Sequence, residues 1–182
     1  MRYFLTSYLF LASFMLFSQD LDSIKGILLD LDQQNLKLRD QIMPTVKQFG
    51  FGSPAMDSLD RLIQKFDSSA LAVVMSIIDK HGWLGKSEIG DTGNRVLFIT
   101  IQHALDSEIR KTYFPLLKKS VEIGESNPAF AATMIDRMLV QEGKDQIYGT
   151  QSRMVNGKLE SFPIKDYSNV NERRKEVGLP EL

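Results

Sequence analysis

The most constraining feature of the sequence is the spacing of apolar residues in its N-terminal half. From Leu21 to Phe49 they recur at steps of three, four and seven, which is typical of an amphipathic helix. The same spacing runs from Pro54 to Lys80, after a break at Gly50-Phe51-Gly52 and a Ser53-Pro54 helix start. Because each apolar stripe must be buried against another element, we expect a mainly α, bundle-like domain.

Helix signals continue through the middle of the chain. The glycine-rich run from His81 to Gly93 is predicted to be a structured loop. The segment from Asn94 to Leu105 is predicted to be a buried helix, with a strand as the alternative because it is rich in β-branched residues. Asp106 and Asn127 are predicted to be the N-caps of two further helices, because short polar side chains accept hydrogen bonds from the first turn. A short helix is expected near the C-terminus.

One small β-hairpin is predicted between these last helices. Its strands are expected at Ile147–Val155 and Lys158–Ile164, flanking Asn156-Gly157. That dipeptide is a strong hairpin signal because both residues adopt positive φ at low cost.

The first 18 residues differ from the rest of the chain. Arg2 precedes an apolar run of 15 residues, Tyr3 to Phe17, which is short for a membrane span of about 20 residues. Residues 1–18 are therefore interpreted as a cleaved signal peptide, with an uncleaved N-terminal anchor as the alternative. Residues 19–79 are expected to be an N-terminal helical segment that forms one globular unit with residues 80–182. The protein is thus predicted to be exported, periplasmic or secreted, with no membrane segment after signal removal.

Composition excludes several classes of function. The 182 residues include 22 basic and 23 acidic side chains, so no charge excess favours nucleic acid as a partner. The absence of cysteine excludes disulfides, thiolate catalysis and iron–sulfur clusters. Walker, dinucleotide-binding, Gly-x-Ser-x-Gly and His-Glu-x-x-His motifs are also missing, so no cofactor or metal is assigned.

The chain has two histidines, and both lie in distinctive settings. His81 opens the segment HGWLG, which contains Trp83, the single tryptophan; His103 follows Gln102 at the end of an apolar run. Imidazoles serve as general acids and bases, which makes these residues candidates for catalysis. The alternatives are structural: His81 caps the preceding helix while Trp83 fills the core, and His103 is a hydrogen-bonded core residue.

Two further polar groups are candidates. Asp136-Arg137 lies in the middle of an apolar helix, where one side chain can face inward and the arginine can clamp a carboxylate or phosphate. The segment from Gln146 to Gln151 brings amide, phenol and hydroxyl groups, including Tyr148 and Thr150, to the edge of the predicted hairpin. An ion pair and a close backbone approach at Gly149 are the structural alternatives.

Four motifs occur in a recognisable order: HGWLG, QHA, DRMLVQEGKDQIYGTQ and NVNERRKEVGLPEL. Together they resemble an uncharacterised bacterial family, the domain of unknown function 6624, over residues 80–182. The resemblance implies a mainly helical protein without an assigned activity. The positions that match the family pattern are His81, Gly82, Trp83, Gln102, His103, Asp136, Arg137, Gln146, Tyr148, Gly149, Thr150, Gln151, Arg174 and Gly178.

This polar set is larger than a structural core requires, because buried polar groups are costly unless they are paired. It therefore predicts either a pocket or a connected internal network. In the first hypothesis, His81, His103 and Asp136 are catalytic. Trp83, Gln102, Arg137, Gln146, Tyr148, Thr150 and Gln151 would then bind a small-molecule ligand. In the second, the same residues lock the hairpin onto the helices of a non-catalytic envelope module. The sequence does not decide between an enzyme and a binding module, and it does not fix the oligomeric state.

Overall fold

The computed structural model describes residues 3–155 and 158–182, with side chains from Gln19 onward. Its helices are α1 (Tyr3–Arg39), α2 (Ile42–Phe49), α3 (Pro54–His81), α4 (Lys86–Gln102), α5 (Ser107–Glu122), α6 (Pro128–Gln141) and α7 (Val170–Glu176). The strands are β1 (Ser152–Val155) and β2 (Lys158–Ser161), and a 3-10 turn covers Tyr167–Asn169. The prediction of a mainly α fold with one small C-terminal hairpin is confirmed.

The chain forms two compact units. The first contains Met1–Lys80 and Leu84–Leu97, and the second contains His81–Trp83 and Phe98–Leu182. Whether they behave as one globular unit, as the sequence analysis expects, stays a prediction.

Apolar side chains fill the first unit. Leu28, Val74 and Leu97 are fully buried. Leu38, Ile42 and Val46 pack against a cluster formed by Met56, Leu59 and Ile63. The proposed signal peptide, residues 1–18, lies outside the part of the chain whose side chains are described. In the part that is described, no helix has the length and apolar character needed to span a membrane.

The segment between α3 and α4 differs from the predicted loop. The loop predicted from His81 to Gly93 is shorter, because α3 continues through His81 and α4 begins at Lys86. Glu88 accepts a hydrogen bond from the Gly85 amide at 2.9 Å, which satisfies a free N–H group at the helix start. Gly90 has a φ of 74°, so it kinks α4 where the sequence suggested a loop.

The helix starts in the second unit follow the predicted chemistry. Asp106 accepts a hydrogen bond from the amide of Glu108, and Asn127 accepts one from the amide of Ala129, both at 2.9 Å. These N-caps fix the beginnings of α5 and α6, which pack against each other. Phe98 stacks on Phe130 with ring centroids 4.3 Å apart. Leu117 of α5 and Met134 of α6 are fully buried.

The hairpin is shorter than predicted. β1 and β2 pair antiparallel from Ser152 opposite Ser161 to Val155 opposite Lys158, while the predicted Asn156-Gly157 turn lies outside the described residues. Residues 147–151, which were expected to extend the first strand, form an irregular loop instead. The prediction that one strand runs from Ile147 to Val155 was therefore wrong for residues 147–151. The physical reason lies in the hydrogen bonds that hold the loop.

Candidate functional site

Asp136 is the centre of the loop's hydrogen-bonding network. Its carboxylate is fully buried in α6 and accepts hydrogen bonds from three backbone amides: Ile147 at 2.7 Å, Tyr148 at 3.0 Å and Thr150 at 3.0 Å. The Thr150 hydroxyl donates a further bond at 2.9 Å. A buried carboxylate is stable when donors saturate its oxygens. These bonds curl the chain around Asp136, which is why the loop cannot continue the strand.

Gly149 allows the chain to make this turn. Its φ of 69° lies in the left-handed region that favours glycine. A Cβ at this position would lie 2.7 Å from Cδ1 of Ile164 and 3.1 Å from Cδ1 of Leu182. The backbone conformation therefore favours glycine here, and an added Cβ would displace the ends of the Ile164 and Leu182 side chains.

Gln146 closes the loop from its other end. This fully buried side chain donates through Nε2 to the carbonyl oxygens of Gln151 at 3.0 Å and Phe162 at 2.8 Å. Its Oε1 accepts from the amide of Gln151 at 2.8 Å. The side-chain amide of Gln146 thus supplies hydrogen bonds to the backbone of Gln151 and Phe162 that a neighbouring strand would otherwise supply.

Two arginines of α7 bind the carbonyl groups of the loop. Arg174 donates from Nη1 to the Tyr148 carbonyl and from Nε to the Pro180 carbonyl, both at 2.5 Å. Arg173 donates to the Ile147 carbonyl at 3.0 Å. The amides of Ile147, Tyr148 and Thr150 therefore face α6, and the carbonyls of Ile147 and Tyr148 face α7. We refer to Asp136, Gln146, Gly149, Thr150 and Arg174 as the loop lock.

The Tyr148 phenol lies in the field of charged groups around this lock. Burial raises its pKa, and the negative charges of Asp136 and Glu176 raise it further, while Arg173 opposes them. The neutral phenol is thus favoured in the folded protein. Tyr148 is half-buried, and its backbone is fixed by Asp136 and Arg174.

A different face of α6 carries a second polar group. Thr133, Arg137 and Gln141 recur at every fourth residue, so they follow one line along the helix. We call them the Arg137 stripe. The Thr133 carbonyl accepts long bonds from Gln102 at 3.4 Å and from Gln151 at 3.5 Å. Arg137 donates to Oε1 of Gln151 at 3.3 Å, so this stripe is held more loosely than the loop lock.

Arg110 of α5 meets the end of the stripe and was missed by the sequence analysis. It is fully buried and donates to Oε1 of Gln141 at 2.6 Å and to the carbonyl of Ala104 just beyond α4. A signal was present in the sequence: Arg110, Tyr113 and Leu117 are spaced by three and four residues, on the buried face of α5. A charged residue at such a position indicates either a helix-end contact or a site.

Arg137 of the stripe and Arg110 at its end have no acidic partner among the residues whose side chains are described. Within residues 19–155 and 158–182, neither Arg110 nor Arg137 forms an ion pair. Burial lowers the pKa of both guanidinium groups, and the positive charge of Arg137 lowers that of Arg110 further. Asp106 partly opposes this effect on Arg110. The stripe is therefore an electropositive region.

Three buried polar atoms of the second unit also lack hydrogen-bond partners among the described residues: Nε1 of Trp83, Oε1 of Gln102 and Nε of Arg110. Two of these belong to residues that contact the stripe or its end. A buried donor or acceptor without a partner costs about 1–3 kcal/mol, so native proteins carry few of them.

The predicted site residues fall into three groups. The loop lock or its backbone contains Asp136, Gln146, Tyr148 and Thr150. The stripe and its contacts contain Arg137, Gln102 and Gln151. His81, Trp83 and His103 belong to the same unit: Trp83 is buried, and both histidines are half-buried and engaged in interactions within the chain.

A pocket shared by the two imidazoles and the ligand-binding residues stays a prediction, as does a catalytic role for any of these residues. The described residues contain no group of three or more potential metal ligands.

Comparison with known proteins places this arrangement in a family. Residues 23–182 match the model of a family of unknown function, DUF6624, and the chain therefore belongs to that family. The match confirms the resemblance seen in the sequence motifs and extends it into α1. No curated protein and no solved structure matches the chain.

Proposed function

We propose that this member of the DUF6624 family is an exported protein that binds a small polar ligand at the Arg137 stripe. The observation that carries the proposal is the contrast in hydrogen bonding around α6. The loop lock pairs its buried carboxylate and amide groups, whereas Gln102 and Arg110 keep buried atoms that find no partner among the described residues. A ligand that supplied those partners would recover the free energy lost by burying them.

In this proposal the loop lock serves the site indirectly. It fixes the backbone of residues 146–151, and the side chain of Gln151 extends from that segment to Arg137 and to the Thr133 carbonyl. Asp136 is then a positioning residue, because its oxygens are occupied by the loop. If the protein also catalyses a reaction, His103 and His81 are the proposed acid–base groups.

A second candidate function is a non-catalytic structural or interaction module of the cell envelope. The extent of the loop lock favours it, since Asp136, Gln146 and Arg174 bind protein groups. Under this alternative the stripe takes no ligand.

A pair of glutamine substitutions separates the two functions. Gln146→Met removes a fully paired amide and is expected to lower the free energy of unfolding by about 2–3 kcal/mol. Gln102→Met removes an unpaired buried oxygen, and we expect the free energy of unfolding to stay within about 1 kcal/mol of wild type or to rise. Urea denaturation measures both. A loss at Gln102 as large as that at Gln146 would show that this side chain serves the fold, and the ligand site would be rejected.

Export has its own test. The full chain is expressed in a bacterium, the cells are fractionated, and the N-terminus of the recovered protein is determined by mass spectrometry. We expect a chain that begins near Gln19 in the exported fraction. Full-length protein in the membrane fraction would replace the cleaved signal with the anchor alternative, and full-length protein in the cytoplasm would contradict export.

A further inference from the structure

We infer that the ligand of the Arg137 stripe is an anion, a carboxylate or a phosphate, held by the guanidinium of Arg137 within the positive field of Arg110. This inference rests on the proposed function and names the chemical class of its ligand. It follows from three observations: the position of the two arginines, the use of the nearby carboxylates, and the free donors of Arg137.

The two guanidinium groups belong to one region of the second unit. Arg110 binds the side chain of Gln141, which lies one helical turn after Arg137 on the same line of α6. Their mutual repulsion, which contributes to the lowered pKa of Arg110, agrees with this placement. Two cations are thus held near each other under partial or full burial.

The nearby carboxylates are occupied elsewhere. Asp136 precedes Arg137 in sequence but points into the loop lock, where it accepts bonds from the amides of Ile147 and Thr150. Asp106 is exposed and caps the start of α5. In the described part of the chain, no carboxylate lies within ion-pairing distance of Arg110 or Arg137.

Arginine cannot relieve this repulsion by losing its proton, because a guanidinium group stays charged in proteins. A positive charge that is withdrawn from water favours either polar protein groups or an anion; Arg110 is fully withdrawn and Arg137 partly so. For Arg110 the carbonyl of Ala104 and the amide of Gln141 supply polar groups. For Arg137 the described protein supplies one long bond, to Gln151, which leaves most of its five N–H donors for a ligand.

The chemistry of these donors matches oxyanions. A guanidinium presents two parallel N–H groups to a carboxylate or phosphate, and such charge-assisted pairs are stronger than neutral hydrogen bonds. Gln102, which contacts the Thr133 carbonyl of the stripe, offers its buried Oε1 as an acceptor for a hydroxyl of the same ligand. The site is thus suited to a small oxyanion and unsuited to a cation.

Substitutions at Arg137 carry the test, because Arg110 also holds the end of α4 and its removal can unfold the unit. The probes are inorganic phosphate and succinate, with chloride at equal ionic strength as the reference. Thermal unfolding and titration calorimetry are measured for wild type, Arg137→Met, Arg137→Lys and Arg153→Met. Arg153 is an exposed arginine of β1, so Arg153→Met removes the same charge away from the stripe.

We expect phosphate, succinate or both to raise the melting temperature of wild type above the chloride reference. Arg137→Met should weaken that binding by about ten- to a hundredfold, the loss typical of a charged hydrogen-bonding partner. Arg137→Lys keeps the charge but loses the paired donors, so it should also bind more weakly than wild type. Arg153→Met should bind as wild type does. A response to only one probe identifies the oxyanion.

The inference is overturned if neither probe binds wild type, or if Arg137→Met and Arg153→Met bind equally well. The glutamine pair described above keeps the two proposals apart. If Gln102→Met remains stable while no anion binds, the ligand site stands and its ligand is not an anion. If Gln102→Met is strongly destabilised as well, both proposals fall.

Discussion

Two faces of the same helix use their polar residues in opposite ways. On one face of α6, Asp136 accepts hydrogen bonds from three amides and a hydroxyl, and it is fully buried. On the other, Arg137 is half-buried and, within the described part of the chain, makes one long bond, to Gln151. The two residues are adjacent in sequence, but adjacent side chains of a helix point in different directions. The two side chains therefore meet different surroundings.

The comparison distinguishes polar residues that stabilise the fold from polar residues that remain available to bind a ligand. A charge whose hydrogen bonds are all satisfied by the protein stabilises one backbone conformation, here the loop of residues 146–151. A charge without a counter-ion contributes little to the stability of the fold, and its hydrogen-bonding groups remain available to a ligand. Substitutions on the first face should therefore change stability, and substitutions on the second should change binding.

The largest effect is expected at Asp136. Asp136→Ala leaves the amides of Ile147, Tyr148 and Thr150 without their acceptor, and we expect the free energy of unfolding to fall by about 3–5 kcal/mol. Urea denaturation measures it. Asp145→Ala, which removes an exposed carboxylate nearby, should change stability by no more than about 0.5 kcal/mol. Equal effects of the two substitutions would show that the loop does not depend on Asp136.

A smaller loss is expected at Gly149. Gly149→Ala combines backbone strain at positive φ, about 1–2 kcal/mol, with the contact between the new Cβ and Ile164, for a total of about 2–3 kcal/mol. Gly143→Ala is the matched control, because Gly143 has a φ of 71° but no atom near the added Cβ. Adding Ile164→Val, which removes Cδ1, should recover part of the loss at Gly149. If both alanine variants lose the same stability, the close packing has no energetic effect.

Arg137 should have little effect on stability. Arg137→Met removes an unpaired charge and one long hydrogen bond, so we expect a change within about 1 kcal/mol in the absence of ligand. The variant is compared with Asp136→Ala under the same denaturation conditions. A loss of about 3 kcal/mol or more would place Arg137 among the residues that hold the fold and would remove the contrast between the two faces.

The smallest effect concerns Tyr148 at high pH. Because the folded protein raises the pKa of this phenol above its ordinary 10.0, its contribution to stability is present below pH 10.0 and is lost as pH rises through the folded pKa. As the pH rises above 10.0, the free energy of unfolding of wild type should therefore fall more than that of Tyr148→Phe. The other tyrosines are common to both proteins. Parallel curves of unfolding free energy against pH would show that the Tyr148 phenol is not perturbed.

Local sequence signals predicted the fold well. Apolar spacing gave α3 nearly to the residue, and the capping residues Asp106 and Asn127 gave the starts of α5 and α6. The sequence predicts a strand after Gln146 where the protein has an irregular loop, because the loop's conformation depends on Asp136, ten residues earlier on another element. Alternation of residue types cannot reveal such a long-range acceptor.

The site was predicted less completely than the fold. The family motifs contain Arg137, Gln102 and Gln151. Arg110 lies outside these motifs, although the residue spacing places it on the buried face of α5. The division of α6 into two faces requires knowing which carboxylate meets which donor, and that information is tertiary. For this reason Asp136 was grouped with the histidines as catalytic, whereas its contacts favour a positioning role.

The most direct test of the two-face account is a titration of nitrogen-labelled wild-type protein with phosphate and succinate, followed by amide NMR. We predict that side-chain amide signals of Gln102, Gln141 and Gln151 shift as the anion is added. Backbone signals of Ile147, Tyr148 and Thr150 should stay in place, because their N–H groups are bound to Asp136. Unmoved glutamine signals, or shifts confined to the loop amides, would contradict the account.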